Sequence, residues 1–264
     1  MGENERSPED VLDAFGQGEL NARIDPDLVR GALKIHEDEL EWRKDFINFD
    51  EDDADRLADL ESVFRDRQDD IAQQFYENIR AYEETTDIVG RSPKGIEELH
   101  ETQRAYLLSL ARGEYDEEYF LDRARIGMLH YMLEMPMKHY IGQYGVYYEI
   151  ILSVIRERIE RDVIDAAQEW AAESDGGGGL IDGLSGSSND ELPPEVEQEL
   201  RDAVGDGMGD LLSVLRIMNL DMQMATDAYN YANKRRDVGS ESEDDTSGEG
   251  LADDISEILA SDGG

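Results

Sequence analysis

The stretch RARIGMLHYMLEMPMKHYIGQYGVYY, Arg123 to Tyr148, sets His130 among leucines, methionines and tyrosines in a chain otherwise crowded with carboxylates. At helical spacing Ile126, His130, Leu133 and Met137 share one face, and Pro136 ends or bends that helix. An imidazole on an apolar face needs partners for both ring nitrogens, yet its neighbours here are Ile126, Leu133 and several methionines, with Glu134 the nearest carboxylate. A satisfied core histidine is one reading. The other is an iron ligand: the metal takes one nitrogen, and Tyr140 engages the second through its hydroxyl or through a backbone carbonyl nearby.

Outward from this stretch, apolar residues recur every three to four positions, prolines are few and β-branched alternation is scarce, so an all-α chain is expected. A helix is predicted over Pro26 to Phe49, with proline near its start, and a second begins within DEDDADRLADLESVFRDR, its acidic first turn suited to the helix dipole. The next covers DDIAQQFYENIRAYEE, where Ile71, Phe75 and Ile79 form a stripe with Tyr76 at its margin. Ser92 is the expected cap of the following helix, which stops at Gly113, and another starts near Asp116. Two long helices close the ordered part, one from about Met137 to Ala172 and one ending near Asp237.

Residues 1–25 read as a polar tail, 26–237 as one domain with a Gly/Ser-rich insertion at about 173–195, and 238–264 as an acidic disordered tail in which Leu251 to Leu259 could form a short helix. GGGG at Gly176 to Gly179 opens no helix after a strand and reads as linker.

Asp and Glu number 65 against 25 Lys and Arg in 264 residues, a net charge of -40, and only five of the cations are lysines. Nucleic acid is repelled by such a surface. Acidity spread over every segment, with arginine favoured over lysine, points to a solvated protein of a salt-rich, halophilic cytoplasm. Cysteine is absent, which removes disulfides and thiolate metal sites. The start lacks the basic and apolar regions of a signal peptide. The longest apolar tract, Tyr140 to Ile155, is shorter than a span of roughly 20 residues and is interrupted by Gln143 and Glu149. A cytoplasmic protein without membrane insertion is expected.

Enzyme signatures are missing: there is no Gly-x-Ser-x-Gly, no phosphate-binding glycine loop and no cysteine nucleophile. A di-iron bundle needs two Glu-x-x-His pairs, and only Glu97 with His100 has that spacing. His36 and His139 lie in polar settings and read as surface residues.

The quoted stretch, together with DDIAQQFYENIRAYEETTDIV and ELHETQRAYLLSLARGEYDEEYF, resembles the sensor domain of globin-coupled sensors, especially the haem-based aerotaxis transducers of halophilic archaea, and is protoglobin-like. The likeness covers about Glu39 to Gln143 and resumes in LLSVLRIMNLDMQMATDAYNYA. It implies a globin fold of the sensor variant, with an extra N-terminal helix and two long C-terminal helices. The implied cofactor is haem b, iron protoporphyrin.

By that resemblance His130 is the proximal axial ligand of the haem iron. Tyr76 is the distal tyrosine, Thr102 a distal threonine of the ligand hydrogen-bond network, Tyr140 a tyrosine touching the proximal imidazole, and Phe75 a pocket aromatic against the porphyrin. A hydroxyl such as that of Tyr76 can donate to the partly negative outer atom of bound oxygen, worth roughly 1.5–3 kcal/mol, or about ten- to a hundredfold in affinity.

The resemblance further implies a sensor of oxygen or another diatomic gas, without turnover, paired as a homodimer through the last two helices. The family's transducers continue into a coiled coil, whereas no sustained heptads follow Asp237 here. Signalling to a partner in trans, or an output region cut from a longer protein, are the two expectations. A stand-alone haem globin for gas binding, scavenging or weak redox chemistry is the first alternative, and a haem-free helical adaptor the second.

Overall fold

The computed structural model describes residues 20–173 and 194–242. The expected N-terminal tail up to residue 19, the Gly/Ser-rich insertion from residue 174 to 193 and the acidic tail beyond 242, with its short helix, lie outside the described residues.

Among those residues all regular structure is helical. A 3-10 turn at Asn21–Arg23 precedes α1 (Pro26–Leu33), α2 (Glu37–Phe46), α3 (Glu51–Asp59), α4 (Glu61–Ile79), α5 (Glu83–Val89), α6 (Ile96–Ser109), α7 (Glu117–Met132), α8 (Met137–Glu173) and α9 (Pro194–Ser242).

The single helix predicted over Pro26 to Phe49 is in fact two. Lys34 takes the left-handed conformation at φ 54°, Ile35 N–H returns to the carbonyl of Arg30, and the ring of His36 accepts from Glu39 N–H to start α2. Lysine and histidine carry no conventional stop signal, which is why the apolar pattern runs through them. Likewise α4 runs unbroken from Glu61 across the expected start at Asp69, and Leu60 separates it from α3. Gly95, not Ser92, stands at the N-cap of α6, where the carboxylate of Glu98 takes Gly95 N–H at 2.8 Å. Helix α6 ends at Ser109, and Gly113 serves the following turn at φ 74°. Helix α9 extends to Ser242, past the expected end near Asp237. Pro136 does end a helix, since α7 stops at Met132 and α8 opens at Met137.

Helix α9 lies along α7, α8, α3 and α1, while α4 packs on α6 and α8. The core is built from residues such as Leu57, Phe64, Leu107, Leu110, Phe120, Ile151 and Ile217, all nearly inaccessible. Gly127 lets α7 and α9 touch backbone to backbone: a Cβ placed there would stand 2.1 Å from the carbonyl oxygen of Ala225.

Two buried polar links pin α9. Asp53 closes the capping box of α3 with Asp50, and its carboxylate also receives Arg216 at 2.8 Å and Ser213 at 2.6 Å, so one side chain caps a helix and ties it to α9. Asp221, 1% exposed, faces Arg123 of α7 at 3.0 Å and accepts from Tyr119 O–H at 2.8 Å. None of the described helices is long and apolar enough to cross a membrane.

Candidate functional site

Helices α4, α6, α7 and α8 line a partly open cavity with an enclosed volume of about 180 Å³. Leu99, Ile126, Leu129 and Leu133 give it apolar walls, and Tyr76, Tyr106, Tyr140, Tyr144 and Tyr147 line it with rings.

His130 lies in the last turn of α7 and lines this cavity. Its Nδ1 stands 2.9 Å from the carbonyl oxygen of Ile126, one helical turn back. A carbonyl only accepts, so Nδ1 carries the hydrogen and Nε2 keeps a lone pair. Burial pushes the ring down to about 4, against a smaller upward pull from the Ile126 bond, so the imidazole is neutral near pH 7. A neutral imidazole with its far nitrogen oriented by a backbone carbonyl is the form that ligates metals.

Of the two partners the sequence leaves open for the second nitrogen, the Tyr140 hydroxyl is corrected by this geometry and a backbone carbonyl holds it. That carbonyl is the one of Ile126, while the Tyr140 hydroxyl is engaged with Tyr144 at 3.0 Å. Tyr140 instead packs its ring on the imidazole, with centroids 4.9 Å apart and planes tilted by 54°. Glu134, the nearest carboxylate in sequence, is turned outward at φ 52° and stands 3.7 Å from Arg91.

Tyr76 faces the same cavity from α4, and burial pushes its hydroxyl up to about 12, so it remains a donor. It is hydrogen-bonded to Gln103, whose Oε1 accepts from Tyr147. The Gln103 bond lowers the pKa of the Tyr76 hydroxyl, as an N–H donated to the phenolic oxygen does, so the tyrosine's own proton stays available. Sequence reasoning singles out neither Gln103 nor Tyr147; a glutamine one residue from Thr102 on the inner face of α6 is the available signal. Thr102 lines the cavity, but its hydroxyl donates to the Glu98 carbonyl at 2.9 Å and accepts from Lys94 at 3.0 Å. Its only proton is therefore spent on its own helix.

Phe75 does not line the cavity. It is buried one layer back, with its ring 4.6 Å from that of Tyr147 and 5.3 Å from that of Tyr76. Phe75 lies about 100° round the helix from Tyr76, and at this position that rotation turns its ring into the core. His100, read with Glu97 as a fragment of a metal pair, stacks on Tyr76 at 4.9 Å. Among the described residues no three His, Cys, Asp or Glu side chains form a metal-holding group. His36 is exposed, whereas His139, expected at the surface, is mostly covered and stands 3.0 Å from Glu84.

At the base of the cavity the Arg123 guanidinium, fully buried, lies 4.0 Å over the Tyr119 ring and donates to Ser109 at 2.5 Å. Burial is the largest single influence and opposes its charge, but Asp221 together with Tyr119 and Tyr106 outweighs it, so the pKa is raised and the guanidinium stays charged. These side chains join α6, α7 and α9 at one point.

The lining fits a flat, apolar, iron-centred cofactor: a single oriented imidazole nitrogen opens into an apolar, ring-lined slot. An all-helical chain built around such a slot has the arrangement of a globin. The sequence pattern of the protoglobin family matches residues 36–172, and the chain belongs to that family. It is 30% identical over 227 residues to the heme-based aerotactic transducer HemAT of Halobacterium salinarum, an alignment that takes in 85% of this chain and 40% of that relative's length. The globin domain of a Geobacter sulfurreducens globin-coupled sensor superposes with a TM-score of 0.47 at 18% identity, over 72% of this chain and 96% of that one.

Proposed function

We propose that the chain is a cytoplasmic haem-based gas sensor. Haem b supplies, when bound, the iron centre at which a diatomic gas, oxygen foremost, coordinates. His130 would hold the haem iron through Nε2. The Ile126 carbonyl fixes its tautomer, and the ring of Tyr140 limits its rotation. Tyr76 supplies the distal hydrogen bond, oriented by Gln103, while Thr102 shapes that side with its oxygen rather than its proton. Phe75 backs Tyr76 and Tyr147 so that both keep their rotamers. The observation that carries the reading is the His130 to Ile126 bond inside an apolar cavity in a protoglobin-family chain.

Signalling, on this reading, is conformational and involves no turnover. Tyr140 and Tyr144 lie on α8, and Arg123 links α7 to Asp221 of α9, so a shift of α7 has two routes to the long helices. Those helices expose large apolar side chains, Leu152 on α8 with Val204, Met208 and Leu212 on α9, beside a groove lined by Ile159 and Leu211. Such a face supports pairing of two copies as a four-helix bundle, which can switch between two packings and pass the change to a signalling partner in trans.

Reconstitution with haem in molar KCl tests this directly. A Soret band should appear and shift reversibly with oxygen, and His130→Ala should abolish it with helical circular dichroism unchanged. A wild-type protein that folds yet takes up no haem would overturn the reading.

A further inference from the structure

The rim of the cavity carries a charge that its apolar walls do not explain. Lys94 lies in the short segment between α5 and α6, and its half-covered side chain lines the cavity next to Ser92. It is one of five lysines in a chain of net charge -40. In such a chain an ammonium is expected to sit in an ion pair, and the other cations of the lining do: Arg123 with Asp221 at 3.0 Å and Arg125 with Asp122 at 3.6 Å. Lys94 has no carboxylate within 4.0 Å among the described residues, and its hydrogen-bond partner is the hydroxyl of Thr102 at 3.0 Å. Burial lowers its pKa, with Glu98 and Glu101 pulling it back from further away.

An ammonium has three donors, and this one uses a single neutral acceptor. Moving it costs little, because Thr102 keeps its bond to the Glu98 carbonyl and the lysine stem is flexible. A half-buried cation with no carboxylate in contact, at the edge of an apolar slot, is a receptor for an anion that enters with an apolar body.

Resting on the haem reading, we infer that Lys94 anchors one propionate carboxylate of the cofactor at the cavity rim, exchanging Thr102 for it. Haem brings two carboxylates into a strongly acidic protein, and a cation at this edge offsets that repulsion while fixing which edge of the macrocycle faces out. The exchange also frees the Thr102 oxygen towards the cavity.

Release of haem and of haem dimethyl ester, whose propionates are uncharged, is measured by transfer to an excess of haem-free globin acceptor in molar KCl. The ester should leave the wild type at least about tenfold faster than haem, the weight of one charge-assisted hydrogen bond. Lys94→Met should bring that ratio towards one by speeding the release of haem alone, and Lys94→Arg should keep most of it. If Lys94→Met changes both rates by one factor, or neither, the anchor is refuted while haem binding stands. Failure of the wild type to take up either compound removes the haem reading itself, and the anchor with it.

Discussion

The Nδ1–H of His130 donates to the carbonyl oxygen of Ile126 at 2.9 Å, and that bond decides which nitrogen faces the cavity. The neutral ring has a consequence for stability without cofactor. The folded ring titrates at about 4, whereas a free histidine titrates near 6.5. Between those values the unfolded chain binds one more proton, so stability rises with pH across that window and is lost as pH falls from about 6.5 to about 4. The contribution is at most about 3 kcal/mol, reduced by water in the cavity. Denaturant titrations of cofactor-free wild type and His130→Gln at pH 4.5 and 7 isolate it: the wild type should lose more stability on acidification. Equal losses would show that the ring is not buried neutral.

Tyr76 and Gln103 act as a unit on the distal side. Tyr76→Phe should keep haem and release oxygen about ten- to a hundredfold faster, while carbon monoxide release changes little. Gln103→Leu should show a smaller effect in the same direction, since it loosens the tyrosine without removing it. Stopped-flow dissociation rates check both. An unchanged oxygen rate in Tyr76→Phe moves the donor elsewhere.

Asp221 and Arg123 form a pair with both side chains 2% exposed or less. Asp221→Ala leaves a buried guanidinium without its counter-charge and should cost about 3–5 kcal/mol in denaturant unfolding. The double variant Arg123→Met, Asp221→Leu should cost less than Asp221→Ala alone, because it leaves no charge stranded. Additive losses would mean that the two residues do not interact.

Gly127 sits where α7 meets the backbone of α9, whereas an added methyl at Gly142 would meet no atom within 4 Å outside its own helix. Gly127→Ala should lower stability by about 3 kcal/mol, since backbone cannot yield as a side-chain tip would. Gly142→Ala should raise it by about 0.5–1 kcal/mol, the usual gain inside a helix. Thermal unfolding of the two variants side by side tests the contrast.

Met208 and Leu212 are about half exposed on α9. Replacing both with glutamate should convert a pair of chains into single chains in light scattering, with the Soret band retained. A wild type that is already monomeric in molar salt removes the pairing reading.

Helical class, the break at Pro136 and the two long helices are legible in the sequence because apolar spacing and proline act locally. His130 stands out for the same reason: one imidazole on an apolar face is anomalous without any neighbour being known. The break at Lys34 to His36 is not legible, because it rests on a left-handed lysine and a ring nitrogen acting as a cap. Nor is the place of Phe75 behind the cavity wall, since one-dimensional spacing gives a stripe but not its rotation towards a particular space.

The amino-acid order alone determined that this chain is helical, strongly acidic and built around a single conspicuous histidine, because each property depends on residues a few positions apart. Tertiary structure decided the rest. Ile126 rather than Tyr140 takes the second nitrogen, Gln103 bridges Tyr76 and Tyr147, Asp221 meets Arg123 across 98 positions, and Lys94 is left facing the cavity. Hydrogen bonds and ion pairs act over about 3–4 Å, and only the packed helices bring residues so distant in the chain within that range.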